Sequence, residues 1–130
     1  MTFKVSVIGA TGRMGKLAVE LIQASQEFDL HAALDSKSEL KQALGADVWL
    51  DITRLEVSQG IVDFAIANNQ KVVVGTSGWS AAKLAELEKK LELTSAAVVV
   101  VPNFSIGSML ATKFAAEAGK YFENIEIVEA

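Results

Sequence analysis

Apolar and polar positions along the chain fall into two kinds of run. Phe3-Lys-Val-Ser-Val-Ile8 is short, β-branched and ends in Gly9; Met14, Leu17, Ala18, Leu21 and Ile22 then recur at the three- and four-residue spacing of a helix face. The pattern predicts a strand, a glycine turn and a helix. Leu30 to Leu34, set between Phe28-Asp29 and the polar stretch Asp35 to Glu39, predicts a second strand whose end delivers Asp35. Val48 to Ile52 predicts a third, followed by a helical face of Val57, Ile61, Phe64 and Ala65 that stops at Asn68-Asn69, and Lys71 to Val74 predicts a fourth. Ser80 is placed to cap a helix with the buried stripe Leu84, Leu87 and Leu91, and Glu86 and Lys90 pair one turn apart on its wet side. Val98 to Val101 predicts a fifth strand. Pro102-Asn-Phe-Ser-Ile-Gly107 breaks the pattern; Ile106, Leu110, Phe114 and Ala118 then mark a further helix, and Ile125 to Val128 reads as another strand. There is no internal repeat.

Strands alternating with helices, several of them apolar in continuous runs, predict a doubly wound α/β fold: a Rossmann-like parallel sheet with helices on both faces. A chain of 130 residues fits one compact domain with a real core. With 51% hydrophobic and 22% charged residues and a single proline, it reads as folded throughout. The net charge of −4 and the scattered Lys and Arg leave no basic field for nucleic acid. Without cysteine, and with His31 alone, there is no disulfide framework and no metal site to expect. The apolar stretch Val5 to Ala10 is too short for a signal-peptide core or a membrane span, so a soluble, cytoplasmic protein is expected.

The chemistry lies in the turns. Gly9, Ala10, Thr11, Gly12, Arg13, Met14 and Gly15 stand between the first strand and first helix, where a glycine turn lets backbone N–H groups approach a pyrophosphate. The G-x-x-G-x-x-G spacing is weak alone, and a ligand-free glycine turn has the same pattern; the strand–turn–helix context and a downstream acid favour a dinucleotide. Asp35, twenty residues after Gly15, stands where an acid accepts from adenine-ribose hydroxyls and repels a 2′-phosphate. NAD is the natural ligand, while Lys37 nearby keeps NADP open; a solvated turn aspartate is the alternative. Gly75, Thr76 and Ser77 follow the fourth strand and offer amides and hydroxyls to a nicotinamide half, or are simply the loop leading to the Ser80 cap; Thr53 is ambiguous in the same way. His31, inside a strand, reads as a packed or edge histidine, and Trp49 and Trp79 as core or rim aromatics.

Taken together, the glycine turn, the Asp51-Ile-Thr53 strand end, the Gly75-Thr-Ser-Gly78 loop and Pro102 to Gly107 resemble the dihydrodipicolinate reductase family over the whole chain. The resemblance implies hydride transfer from NADH or NADPH to a cyclic unsaturated dicarboxylate on the bacterial route to diaminopimelate and lysine. It implies that Gly9, Ala10, Thr11, Gly12, Arg13 and Met14 hold the pyrophosphate side, Asp35 the ribose, and Gly75, Thr76 and Ser77 the nicotinamide side. Pro102, Asn103 and Phe104 match a second cofactor-contacting loop that begins a hinge, so residues 1–104 form the dinucleotide-binding domain. Residues 105–130 form a hinge helix and the start of a substrate-binding and oligomerisation domain. Members that accept NADPH well often carry arginine after the ribose acid, whereas Ser36 and Lys37 follow here.

The family's paired histidines and lysine follow a Glu-Ala-like strand end, which places the catalytic residues beyond Ala130 and leaves this chain with none. The expectation is the N-terminal part of a reductase, inactive by itself, whose full-length form is a homo-oligomer, commonly a tetramer. It also leaves the strand Ile125 to Val128 without sheet partners. Two other readings stand beside it: a non-enzymatic NAD-binding sensing or assembly module, and another Rossmann oxidoreductase of the short-chain type. Against the latter, Tyr121 is followed four residues later by Ile125 rather than lysine.

Overall fold

The computed structural model describes residues 1–128. Five strands, β1 (Phe3–Ile8), β2 (Phe28–Leu34), β3 (Val48–Asp51), β4 (Lys71–Val74) and β5 (Ala97–Val100), form one sheet in the order β2-β1-β3-β4-β5, every pair parallel. Four helices connect or follow them: α1 (Arg13–Ala24), α2 (Leu55–Ala67), α3 (Ala81–Leu91) and α4 (Ile106–Ala118), with a short 3₁₀ turn at Leu40–Ala43 between β2 and β3. The fold is the expected Rossmann-like α/β class.

Parallel crossovers are right-handed, so the direction in which the chain steps across the sheet decides which face each helix covers. From β1 the chain steps outward to β2, and α1 packs on one face: Ile22 is buried there with Val5 and Val7, and Ala18 and Val19 lie against them. Beyond β3 it steps the other way, and α2 and α3 share the opposite face. There Ile61, Val62, Ala65, Ile66 and Leu87 close over Ile8, Leu34, Trp49, Val72 and Val74. The direction reverses between β1 and β3, the switch point where ligands of open α/β sheets bind.

Several boundaries move for physical reasons. β2 begins at Phe28 because Phe28 and Asp29 pair with Phe3 and Lys4. The register then slips between Val5 and Ser6, whose partners are Leu30 and Ala32, so His31 is the bulged residue. Its Nε2 lies 2.9 Å from the Leu44 carbonyl, an edge histidine as expected. β5 runs Ala97–Val100, although the Val101 amide still donates to Val74 O at 2.8 Å.

The stripe expected on α1 is only partly buried. Ile22 is in the core, but Met14, Leu17 and Leu21 are exposed, because the helix seats on its small residues Gly15 and Ala18 and turns the long ones outward. On α4, Ile106 and Phe114 are 71% and 65% exposed and no residue is buried: the helix forms, but its apolar stripe meets no sheet face among the described residues. Ile125 to Val128 is not a strand. It pairs with no strand among the described residues; Ile125 packs on Gly119 instead, and with Ile127 it borders a groove beside Thr112, Ala115 and Ala116 of α4. The strand end expected at Glu129 and Ala130 lies outside the described residues.

The Glu86–Lys90 pair is present at 3.4 Å, and Lys90 Nζ also reaches Asp63 Oδ1 at 2.8 Å, tying α3 to α2. Its ammonium is held above the ordinary lysine pKa, chiefly by that hydrogen bond to Asp63.

Candidate functional site

At the carboxyl edge of the sheet, over the β1/β3 switch point, the chain leaves a cleft of about 750 Å³. Three strand ends supply its wall: Gly9, Thr11 and Gly12 after β1, Asp35, Ser36 and Ser38 after β2, and Ile52, Thr53 and Arg54 after β3. Leu40, Val57, Ile61 and Phe64 make its apolar side. Phe64 in turn stacks on the buried Trp49, with ring centroids 6.2 Å apart.

The glycine turn packs its backbone too closely to admit side chains at Gly9 and Gly15. Gly9 has φ +91°, and a Cβ there would lie 2.7 Å from Ile52 O. A Cβ on Gly15 would stand 2.0 Å from Gly9 O and 2.7 Å from Ala10 Cα, so α1 can start this close to β1 only with glycine at that position. The amides of Gly9 and Ala10 donate to Leu34 O, and that of Gly12 to Gly9 O, which locks the turn. The amides of Thr11, Arg13 and Met14 make no hydrogen bond among the described residues, and no side chain caps α1 at Gly12. By contrast, Ser80 and Ser105 cap α3 and α4. The first turn of α1 also lacks any acidic residue and opens on Arg13, the charge that a helix N-terminus disfavours. Open amides, the positive end of a helix dipole and an arginine together suit an anion.

Asp35 is part-buried, with its carboxylate at the cleft. Oδ1 accepts from Lys37 N at 2.9 Å and Ser38 Oγ at 2.9 Å, and these bonds, the Lys37 amide foremost, hold its pKa below the ordinary carboxylate value. Oδ2 has no hydrogen-bond partner among the described residues and is available to a ligand's hydroxyls.

The second group of expected residues adjoins this cleft without lining it. Gly75 lies beneath the Phe104 ring, where a Cβ would come within 2.4 Å of Phe104 Cε2 and 3.0 Å of Ile52 Cγ2. Its amide donates to Asp51 O at 2.8 Å. Thr76 is buried and Ser77 is exposed. Pro102 faces away, into a groove with Trp79, Leu84 and Val98. Asn103 is engaged with the start of α4: its Oδ1 accepts from Ser105 N at 2.7 Å and its Nδ2 donates to Ser108 Oγ at 2.9 Å.

Sequence reasoning passed over Asp51, whose side chain is fully buried at the end of β3. It accepts from Thr53 N and Oγ1, Ser58 Oγ and Thr76 Oγ1. A polar strand end is unremarkable in sequence; only the hydroxyls at positions 53, 58 and 76 hint at such a center, and three different elements supply them.

Among the described residues there is no cluster of three or more His, Asp or Glu able to hold a metal, and no helix is long and apolar enough to cross a membrane.

Comparison with known proteins agrees with this geometry. Residues 3–104 match the family model described as dihydrodipicolinate reductase, N-terminus. The chain is 52% identical over 131 residues to 4-hydroxy-tetrahydrodipicolinate reductase of Clavibacter sepedonicus, covering 100% of this chain and 47% of that protein. It is 38% identical to the Streptococcus thermophilus protein of the same name, covering 99% and 56%. The chain therefore spans about half the length of the curated relatives it matches. Among solved structures, dipicolinate-bound dihydrodipicolinate reductase from Paenisporosarcina sp. TG-14 superposes with a TM-score of 0.76 at 27% identity, over 94% of this chain and 55% of that one. With its Rossmann-type sheet, glycine turn and cleft at the switch point, this chain belongs to the dihydrodipicolinate reductase family and corresponds to its N-terminal part.

Proposed function

We propose that this chain holds the NAD(P)H of a 4-hydroxy-tetrahydrodipicolinate reductase. The observation that carries this reading is the conjunction at one cleft of a turn with no room for a Cβ, an uncapped helix start and a carboxylate with one free oxygen. In this reading the amides of Thr11, Arg13 and Met14 and the Arg13 guanidinium receive the pyrophosphate. Gly9, Ala10 and Gly12 let it come close. Asp35 Oδ2 takes the adenine-ribose hydroxyls, and Leu40, Val57 and Phe64 form an apolar seat beside it. Gly75, Thr76, Ser77 and Phe104, reached across Ile52, border the nicotinamide end. A bound reduced nicotinamide supplies the hydride, and the family's reaction delivers it to a small cyclic dicarboxylate.

Asp35 favours NADH, because its carboxylate repels a 2′-phosphate. Residues 1–104 are the dinucleotide-binding domain in this proposal, supported by the family match ending at 104. Residues 105–130 begin the part that binds substrate and joins subunits, supported by the exposed apolar side chains of α4. Pro102 and Asn103 serve the hinge rather than the cofactor, since the first faces away from the cleft and the second is bonded to Ser105 and Ser108 at the start of α4.

Titration with NADH and NADPH, followed by tryptophan fluorescence, tests the reading, because Trp49 stacks on Phe64 of the cleft wall. Saturable NADH binding that weakens at least about tenfold in Asp35→Ala is expected, the scale of a hydrogen bond to a charged group. Saturable binding equally strong in Asp35→Ala, or none in the native chain, would overturn it.

A further inference from the structure

The dinucleotide reading leaves one buried charged side chain without a role. Asp51 is fully buried, and no lysine or arginine among the described residues pairs with it. What surrounds it is a set of donors. Oδ1 accepts from Thr53 Oγ1 at 2.6 Å, from Thr53 N at 3.1 Å and, at a longer 3.5 Å, from Thr76 Oγ1; Oδ2 accepts from Ser58 Oγ. A carboxylate accepts only, whereas a hydroxyl has one hydrogen to give and two lone pairs. The short bond to Oδ1 therefore takes the Thr53 hydrogen, in preference to the 3.5 Å approach to Arg54 O. Thr53 lines the cleft beside the glycine turn, with its Cγ2 3.2 Å from where a Gly9 Cβ would stand. It can present only an acceptor to whatever lies there.

We propose that Asp51 is a positioning residue that fixes Thr53 as a hydrogen-bond acceptor, so that this point of the cleft takes a donor group of the cofactor and rejects a phosphate. The proposal rests on the dinucleotide reading and adds to it a polarity along the cleft. Phosphate oxygens, which are acceptors, are steered to the open amides of Thr11, Arg13 and Met14. A donor from the nicotinamide half, a ribose hydroxyl or the carboxamide, is drawn to Thr53. The same carboxylate reaches Thr76 from below, and Gly75 N bonds to the Asp51 carbonyl at 2.8 Å, so the loop after β4 is held to the same residue.

The test compares two probes on the full chain: ADP, which carries only the adenosine and phosphate half, and NADH. Asp51→Ala frees the Thr53 hydroxyl and is expected to weaken NADH about tenfold, the scale of one hydrogen bond to a well-aligned partner, while ADP affinity stays within twofold. Asp51→Asn is expected to restore NADH affinity, because its Oδ1 still accepts from Thr53 while its amide faces Ser58, whose hydroxyl can turn to accept. In a Thr53→Val background, Asp51→Ala should add less than a further twofold, since the two act as a unit.

A merely structural role would lower ADP and NADH affinity together, and that result overturns the proposal; so do independent, multiplying effects of the two substitutions. If circular dichroism shows Asp51→Ala unfolded, Thr53→Val against Thr53→Ser carries the test. Loss of NADH affinity in Val and not in Ser, with ADP unchanged, supports the proposal, and unchanged NADH affinity in Thr53→Val overturns it. A native chain that binds neither probe would overturn the dinucleotide reading itself and the proposal with it.

Discussion

Replacing glycine by alanine at two helical positions should change stability in opposite directions. In α1, a Cβ on Gly15 would stand 2.0 Å from Gly9 O and 2.7 and 2.8 Å from Ala10 Cα and C, all backbone atoms of the turn that must shift to admit it. In α2, a Cβ on Gly60 meets nothing within 4 Å. Alanine is favoured over glycine in a helix interior by about 0.8–1.0 kcal/mol, so Gly60→Ala should gain roughly that amount. At position 15 the same gain is set against overpacking of about 1–3 kcal/mol, and more where backbone must move, for a net loss on the order of 1–2 kcal/mol.

For a chain of this size, with Tm shifts of roughly 4 °C per kcal/mol, Gly60→Ala should melt about 3–4 °C higher and Gly15→Ala about 4–8 °C lower. Urea unfolding with a common m-value gives the free energies directly. Gly15→Ala should also lose NADH affinity, because the displaced atoms belong to the anion-binding turn. A Gly15→Ala protein as stable as the native chain would refute the packing argument at the site's foundation.

Other substitutions test neighbouring contacts. Gly75→Ala puts a Cβ 2.4 Å from Phe104 Cε2, the far end of a ring that is 47% exposed and can swing aside, so it should cost less than about 1 kcal/mol; a larger loss in urea unfolding would show that the ring is fixed over Gly75. Because hydrogen bonds depress the Asp35 pKa, its ionised form persists above the ordinary carboxylate value of 3.8 and is lost only as pH falls through a still lower one. Its contribution to NADH affinity should thus be level from about pH 8 to pH 5, checked by comparing native and Asp35→Ala titrations across that range. Lys90→Met should cost about 0.2–1 kcal/mol, less in high salt, since the ammonium is part-exposed. As its pKa is raised, that stabilisation is complete below the ordinary 10.5 and disappears as pH rises through the folded value, which urea unfolding at neutral and strongly alkaline pH would compare.

The sheet and its order of elements were legible because parallel strands covered on both faces must be apolar along their length. Val48 to Leu50 and Val72 to Val74 advertise themselves in that way. The glycine turn and Asp35 were legible for a different reason, being fixed by their distance along one βα unit. What the sequence concealed depends on partners far along the chain. The bulge at His31 arises from a register against β1, and the Asp51 center gathers donors from the end of β3, from α2 and from the loop after β4. How far the apolar sides of α1 and α4 are buried was not legible, because periodicity gives a helix its apolar side but says nothing of what stands opposite. Gly15 and Ala18 bring α1 in on its small residues, while Phe114 and Ile106 meet no sheet face among the described residues. Ile125 to Val128 has the composition of a strand, yet a strand exists only with a neighbour to bond.

The central claim, that a dinucleotide lies in the switch-point cleft against the glycine turn and Asp35, is tested most directly by backbone amide shifts in a nitrogen-labelled chain titrated with NADH. The account predicts saturable shifts at Thr11 to Gly15, at Asp35 to Ser38 and at Ile52 and Thr53, with the amides of α3 unmoved. Shifts confined to the groove of Trp79, Leu84 and Val98, or none at any NADH concentration, would contradict it.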